Sequence, residues 1–111
     1  YGVNTTFAKA NRATVVNFIR GVIKAQRWIN DPANREEAIA ILVKVGMEQK
    51  AVERSYDNLF IKNKKPFISN DGRVSRQGLD GAFRILGASM NKTFDQSKFV
   101  DWSYWQAATS N

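Results

Sequence analysis

Apolar residues recur along this chain at steps of three and four, the period that gathers them on one side of an α-helix. The clearest run is Val15, Phe18, Ile19, Val22, Ala25 and Ile29. Arg12, Arg20, Lys24 and Arg27 fall mostly off that stripe, where they stay in water. Asn11 is placed to cap the run at its start. Asn30-Asp31-Pro32 stops it, because a residue before proline avoids the α region. The first predicted helix is therefore 11–30. A second covers 34–46, with Ala38, Ile41, Leu42 and Val45 as its stripe. Asn34 followed by Glu37 has the spacing of a capping box, Glu36 and Glu37 suit the positive end of the helix dipole, and Gly46 suits the left-handed residue past the end. A third covers 48–60, with Val52, Tyr56, Leu59 and Phe60. Ser75 opens a fourth over 75–88, with Leu79, Ala82, Phe83 and Leu86, ended by Gly87 and Asn91. The last covers 95–108, where Asp95 or Asp101 caps short turns before Trp102, Tyr104 and Trp105.

Between these runs the pattern changes. Tyr1, Val3, Thr5 and Phe7 alternate with Gly2, Asn4 and Thr6, a period of two that reads either as the tail of a strand or as coil entering a helix. Lys62-Asn63-Lys64-Lys65-Pro66 is a basic loop, and Asn70-Asp71-Gly72 is a turn. No internal repeat and no long linker divides the chain, so residues 1–111 are expected to form a single all-α bundle of about five helices. Val16 and Ile23 flank the first stripe, Ile39 the second and Ile85 the fourth. Helices apolar over so wide an arc pack on two sides, and a small domain has few partners to offer them.

Composition narrows the chemistry. The 111 residues contain no Cys and no His, which removes disulfides, thiolate ligands, a Cys nucleophile and the commonest general base. No apolar run approaches the ~20 residues that cross a bilayer. The chain opens on Tyr1, and no basic segment followed by an apolar one succeeds it, so no signal peptide is read. With 17 Lys and Arg against 10 Asp and Glu, the net charge is +7.

Catalysis finds little purchase. The carboxylates Asp31, Glu36, Glu37, Glu48, Asp95 and Asp101 sit at helix starts, where capping and the dipole account for them. Glu53 and Asp57 share a face four residues apart, the arrangement of a solvated surface more than of an acid–base pair. Gly78 and Gly81 lie within a helix pattern and read as close-packing positions, not as a phosphate loop. Asn70-Asp71-Gly72 lacks the further ligands of a calcium loop. A nucleic-acid module is the rival reading: Lys62, Lys64 and Lys65 with Arg73 and Arg76 would form a phosphate patch, and consecutive helices a helix-turn-helix. No helix, however, presents Arg, Asn and Gln on one exposed face. Trp102-Ser103-Tyr104-Trp105 reads as an anchoring segment, with a stacking platform as the alternative.

Several stretches carry a family likeness. Thr6-Phe7-Ala8-Lys9 and Val15-Val16-Asn17-Phe18-Ile19-Arg20, then Ala25 to Ile39, Ala51-Val52-Glu53-Arg54-Ser55-Tyr56, Asp71 to Leu79, and Phe99 to Trp105 follow in an order that resembles the C-terminal region of ABC-importer substrate-binding proteins. The group is the nitrate/sulfonate/taurine and thiamine-pyrimidine-precursor family. The resemblance implies a two-lobed α/β protein of which this chain is the last third, with a hinge strand near 1–7 and helices packed on the first lobe. It implies solute binding without catalysis or cofactor, a periplasmic or other extracytoplasmic location, and a membrane permease as partner. The sheets and most cleft loops of that fold lie outside this stretch, so no ligand-binding, catalytic or metal residue is assigned. Asn4, Thr5 and Thr6 lie nearest the implied hinge, where capping or hinge hydrogen bonds explain them. The isolated chain is expected to bind no solute and to associate with itself.

Overall fold

Six α-helices form among the described residues, and no strand does. The computed structural model describes residues 2–63 and 67–110; Tyr1 of the N-terminal alternation and Lys64, Lys65 and Pro66 of the basic loop lie outside the described residues. The helices are α1 (Thr5–Ala10), α2 (Arg12–Asn30), α3 (Arg35–Lys44), α4 (Gln49–Tyr56), α5 (Arg76–Met90) and α6 (Trp102–Thr109). The chain divides into two compact units: unit 1 comprises residues 1–20 and 73–111, and unit 2 residues 21–72.

The N-terminal alternation is not a strand. Asn4 accepts from the backbone N–H groups of Thr6 and Phe7 at 2.9 and 3.2 Å, and α1 begins at Thr5. A local side-chain cap here outweighs the β-branched propensity of Thr5 and Thr6, which is weak over so few residues. Asn11 does not cap α2 with its side chain. It ends α1, donating Nδ2 to the Phe7 carbonyl at 3.0 Å, while its own carbonyl accepts the first α2 bond, from Val15.

Within unit 2 the core joins Ala38, Ile39, Val52 and Tyr56, flanked by Trp28, Ile29, Leu42, Val43 and Phe60. The stripe of α2 is rotated from the expected one. Val16 (in unit 1) and Ile23 are buried while Phe18 is 53% exposed. Ile39 is likewise buried and Ile41 exposed on α3. Each helix offers two apolar stripes, and periodicity alone does not say which one finds a partner.

Helix ends are settled by side chains from elsewhere. The last carbonyls of α2 lack α-helical donors four residues on, and of these Trp28 accepts one backbone bond, from Asp31 N–H at 3.2 Å. Asn34 donates Nδ2 to the Trp28 carbonyl at 2.8 Å, and the Tyr56 hydroxyl donates to the Ile29 carbonyl at 2.9 Å. Asn34 thus finishes the helix before it and makes no side-chain cap for α3. Asp31 instead caps the 3-10 turn Pro32–Asn34 through the Ala33 N–H. The third expected helix splits into α4, capped by Glu48, and a π turn at Asp57–Ile61. Arg35 reaches that turn from α3, its Nε and Nη2 meeting the two Asp57 oxygens at 2.7 and 3.0 Å.

Gly46 takes φ 96° past α3, with Gly46 and Met47 donating back to Val43 and Leu42 as the capping pattern requires. The segment 67–72 lies along the second half of α2. Asn30 Nδ2 donates to the Ile68 carbonyl and Arg27 Nε to the Asn70 carbonyl. Gly72, at φ 67°, sits where a Cβ would stand 2.6 Å from Ile23 Cγ1, so both its conformation and its position require glycine.

In unit 1, Ser75 caps α5 as expected, by accepting from Gly78 N–H at 3.1 Å. The helix ends at Asn91, in the left-handed region at φ 50°, with Lys92 donating to the Gly87 carbonyl. A Cβ at Gly87 would run into the Lys92 carbonyl oxygen. Gly81, read as a packing position, faces open space instead. Phe83, Phe94 and Phe99 form a ring cluster with centroids 5.3–6.0 Å apart. Asp95 caps the 3-10 turn Gln96–Lys98, and Asp101 caps α6.

Candidate functional site

The aromatic end of the chain is the place where chemistry-bearing side chains converge. Asp101 starts α6 by accepting from Ser103 N–H at 2.9 Å. That start throws Trp102, Tyr104 and Trp105 onto successive positions of one short helix, each half-buried. Their partners are arginines of unit 1. Arg12, from the first turn of α2, lies 4.4 Å from the Tyr104 ring centroid. It also donates to the Ser103 carbonyl at 3.1 Å and to the Ser103 hydroxyl at 3.2 Å. Arg20 donates to the carbonyls of Ala107 and Ala108 near the end of α6. Those carbonyls have no helical donor of their own, and a cation there also suits the helix dipole. Arg76 lies 5.2 Å from the Trp102 centroid, and Arg73 lies 5.9 Å from Trp102 and 5.3 Å from Trp105. Cations over indole and phenol faces at these distances are attracted by the ring quadrupole.

Of the two readings of Trp102-Ser103-Tyr104-Trp105, the anchor describes these side chains better. Their faces meet guanidinium groups of the chain itself, which competes with their use as a platform for a base. The Asp101 carboxyl is held below its ordinary range, first by the hydrogen bonds from Ser103 and then by the nearby charges of Arg12 and Lys9.

Other candidates go separate ways. Glu53 accepts from Gln49 Nε2 at 2.8 Å, whereas Asp57 pairs with Arg35, so the two carboxylates do not act together. The Arg35 guanidinium holds the Asp57 carboxyl low, and Asp57 raises Arg35. Asn4 serves as a cap, while Thr5 and Thr6 lie in the first turn of α1. Ser69 donates to the Asp71 carboxylate inside the Asn70-Asp71-Gly72 turn. Lys62 donates to Asn58 at 3.1 Å, and Lys64 and Lys65 lie outside the described residues. No group of three or more acidic side chains that would hold a metal ion occurs among the described residues.

Shallow clefts occur among the described residues, and two are of interest. One, of about 360 Å³ in unit 2, is lined by Arg27, Asn30, Asp31, Pro32 and Asn70. Its donors already point at carbonyls of the segment 67–72. The other, of about 320 Å³ in unit 1, is bordered by Asp80, Phe83, Arg84 and Phe94. Asp80 accepts there from Gln96. No described helix is long and apolar enough to cross a membrane.

Sequence reading singled out the aromatics and grouped Arg73 and Arg76 with the lysines of the basic loop. It missed that these two arginines lie on Trp102 and that Arg12 and Arg20 hold α6. These contacts join residues 26 to 92 positions apart in the chain, and no local pattern encodes them. Comparisons with family models, curated proteins and solved structures return no match.

Proposed function

We propose that this chain is the C-terminal helical part of a solute-binding protein of an ABC importer, of the nitrate/sulfonate/taurine or related small-solute type. It binds without catalysis, works outside the cytoplasm, and needs the protein's first lobe to complete its cleft. One observation carries the reading beyond the resemblance. Large apolar side chains stand in water on α2 and α5 and in the segments after α3 and before α6: Phe18 at 53%, Ile85 at 71%, Val45 at 72%, Phe99 at 60% exposed. The buried set is small, with Val16, Ile23, Ile39, Val52 and Tyr56 as its larger members. Exposed apolar surface on this scale marks an interface, and helices that cover a neighbouring lobe need such a surface. In the complete protein the lobes close on solute about a hinge and the closed form docks on a permease.

The test begins with the native reading frame. The reading expects it to continue upstream into a β-rich sequence. Protein carrying that upstream part is expected to give a saturable calorimetric signal with one of nitrate, an alkylsulfonate or a pyrimidine, and this chain alone none. An upstream frame without such a sequence would overturn the reading. So would DNA affinity of this chain that falls steeply with salt, the signature of a small basic nucleic-acid-binding module.

A further inference from the structure

Helix α6 is fastened differently from the others. Among the described residues each of the first five helices contains a buried residue: Ala8 in α1, Val16 in α2, Ile39 in α3, Val52 in α4 and Gly87 in α5. None of α6 is buried to that degree, and Trp102, Tyr104 and Trp105 stay half-buried. Two arginines of α2, both in unit 1, clamp its ends instead. Arg12 donates to the Ser103 hydroxyl and carbonyl near the start, and Arg20 to the Ala107 and Ala108 carbonyls near the close. They stand eight residues apart, about 12 Å along the axis, the length of the eight-residue α6. We infer that α6 is a strap that opens as one piece when these clamps release, while the rest of unit 1 stays folded. This inference stands apart from the reading of the chain as part of a solute-binding protein.

The clamp bonds all lie at the exposed surface, where water competes for donor and acceptor and each bond is worth little net. A segment with few buried contacts and solvent-exposed hydrogen bonds opens at a lower cost than the unit that carries it. What remains does not need α6 for its own closure. Helix α5 keeps its cap at Ser75 and its left-handed end at Asn91, and Phe83 still packs on Phe94 and Phe99. The hinge falls at Val100 and Asp101, the residues between Phe99 of that cluster and the first turn of α6. Opening uncovers Trp102, Tyr104 and Trp105 together, the aromatic faces that Arg76, Arg12 and Arg73 meet in the closed form. The closed strap is thus a self-masking contact, and the three rings become a surface only in the open form.

The experiment is amide hydrogen exchange of the 111-residue chain, read residue by residue by NMR and corrected for intrinsic rates. In the parent, Gln106 and Ala107 of α6 are expected to be protected about tenfold or more less than Phe83 and Gly87 of α5. Arg20→Ala is expected to cost the α6 amides a further factor of about ten or more, as the loss of charge-assisted bonds implies, and the α5 amides nothing. Arg12→Ala is expected to act in the same direction. Arg84→Ala removes the same charge from an exposed position of α5 and is expected to leave α6 protection as it is. Circular dichroism checks that each variant keeps its helices. Confinement of the loss to α6 separates a strap from a residue that merely supports the unit. Equal protection of α6 and α5 in the parent overturns the inference. So does α6 protection unchanged by Arg20→Ala, or a loss that α6 and α5 share equally.

Discussion

Tyr56→Phe removes one oxygen from the centre of unit 2 and leaves the ring in place. Tyr56 is only 3% exposed, and its ring packs 5.0 Å from Phe60, centroid to centroid. The hydroxyl donates to the Ile29 carbonyl at 2.9 Å and lies 3.3 Å from the Asp31 carbonyl. The first is a good O–H···O bond and the second is beyond the usual range, so one effective hydrogen bond is lost. The Ile29 carbonyl belongs to the last turn of α2, where no helical N–H replaces the hydroxyl. A net hydrogen bond is worth about 1 kcal/mol, and an acceptor stranded away from water adds to the loss, so the expected cost is about 1–2 kcal/mol. With a urea slope of about 1 kcal/mol/M, the unfolding midpoint falls by about 1–2 M. Tyr56→Ala, which also empties the ring site, is expected to cost about 3–5 kcal/mol. Trp28 flanks the same core. Its fluorescence, followed in a W102F/W105F background, reports on unit 2 alone. Burial raises the Tyr56 pKa above its ordinary 10.0, so the stability this group contributes is present below that pH and is lost as pH climbs through the raised value. Tyr56→Phe is expected to abolish that alkaline loss. A Phe variant with an unchanged midpoint would show that the hydroxyl does not hold the end of α2.

Asp57, held low by Arg35, contributes stability present above the ordinary carboxyl range and lost as pH falls through its lowered value; Asp57→Asn is expected to flatten the acid limb of the pH–stability curve measured by urea titration. Gly87→Ala is expected to destabilise despite its better helix propensity, because the new methyl collides with the Lys92 carbonyl; a thermal melt with a higher midpoint would contradict the geometry. Asn91→Gly is expected to be neutral or slightly stabilising at φ 50°, and Asn91→Val strongly unfavourable. The isolated chain is expected to run as a dimer or larger species in light scattering, and Val45→Lys with Ile85→Glu to shift it toward monomer, since both positions are more than two-thirds exposed; a clean monomer of the parent at high concentration would count against the apolar surface as an interface.

Much of the helical content was legible because helices announce themselves locally. The stripes of α4, the caps at Ser75, Asp95 and Asp101, and the left-handed Gly46 each need only neighbours within a few residues. Two kinds of information were not local. The choice between the Phe18 and Val16 faces of α2 depends on which surface meets it, and Asn34 caps backward because the Trp28 carbonyl, in the last turn of α2, lies within reach of its amide. Thr5 and Thr6 misled because β-branched residues at helix starts look like the end of a strand until a cap such as Asn4 is weighed. At the aromatic site, composition pointed to Trp102 and Trp105, while their arginine partners were set by tertiary placement alone.

The docking of residues 67–72 on α2 has a kinetic consequence. The bonds from Asn30 to Ile68 and from Arg27 to Asn70 close loops of 38 and 43 residues. The helix pair α3 and α4 is joined by a short turn, so it assembles at little entropic cost, whereas closing so long a ring does not begin to repay its cost until both ends have met. This clasp is therefore the last part of unit 2 to form and the first to let go. Amide hydrogens there should exchange with solvent long before those of Val52 or Tyr56.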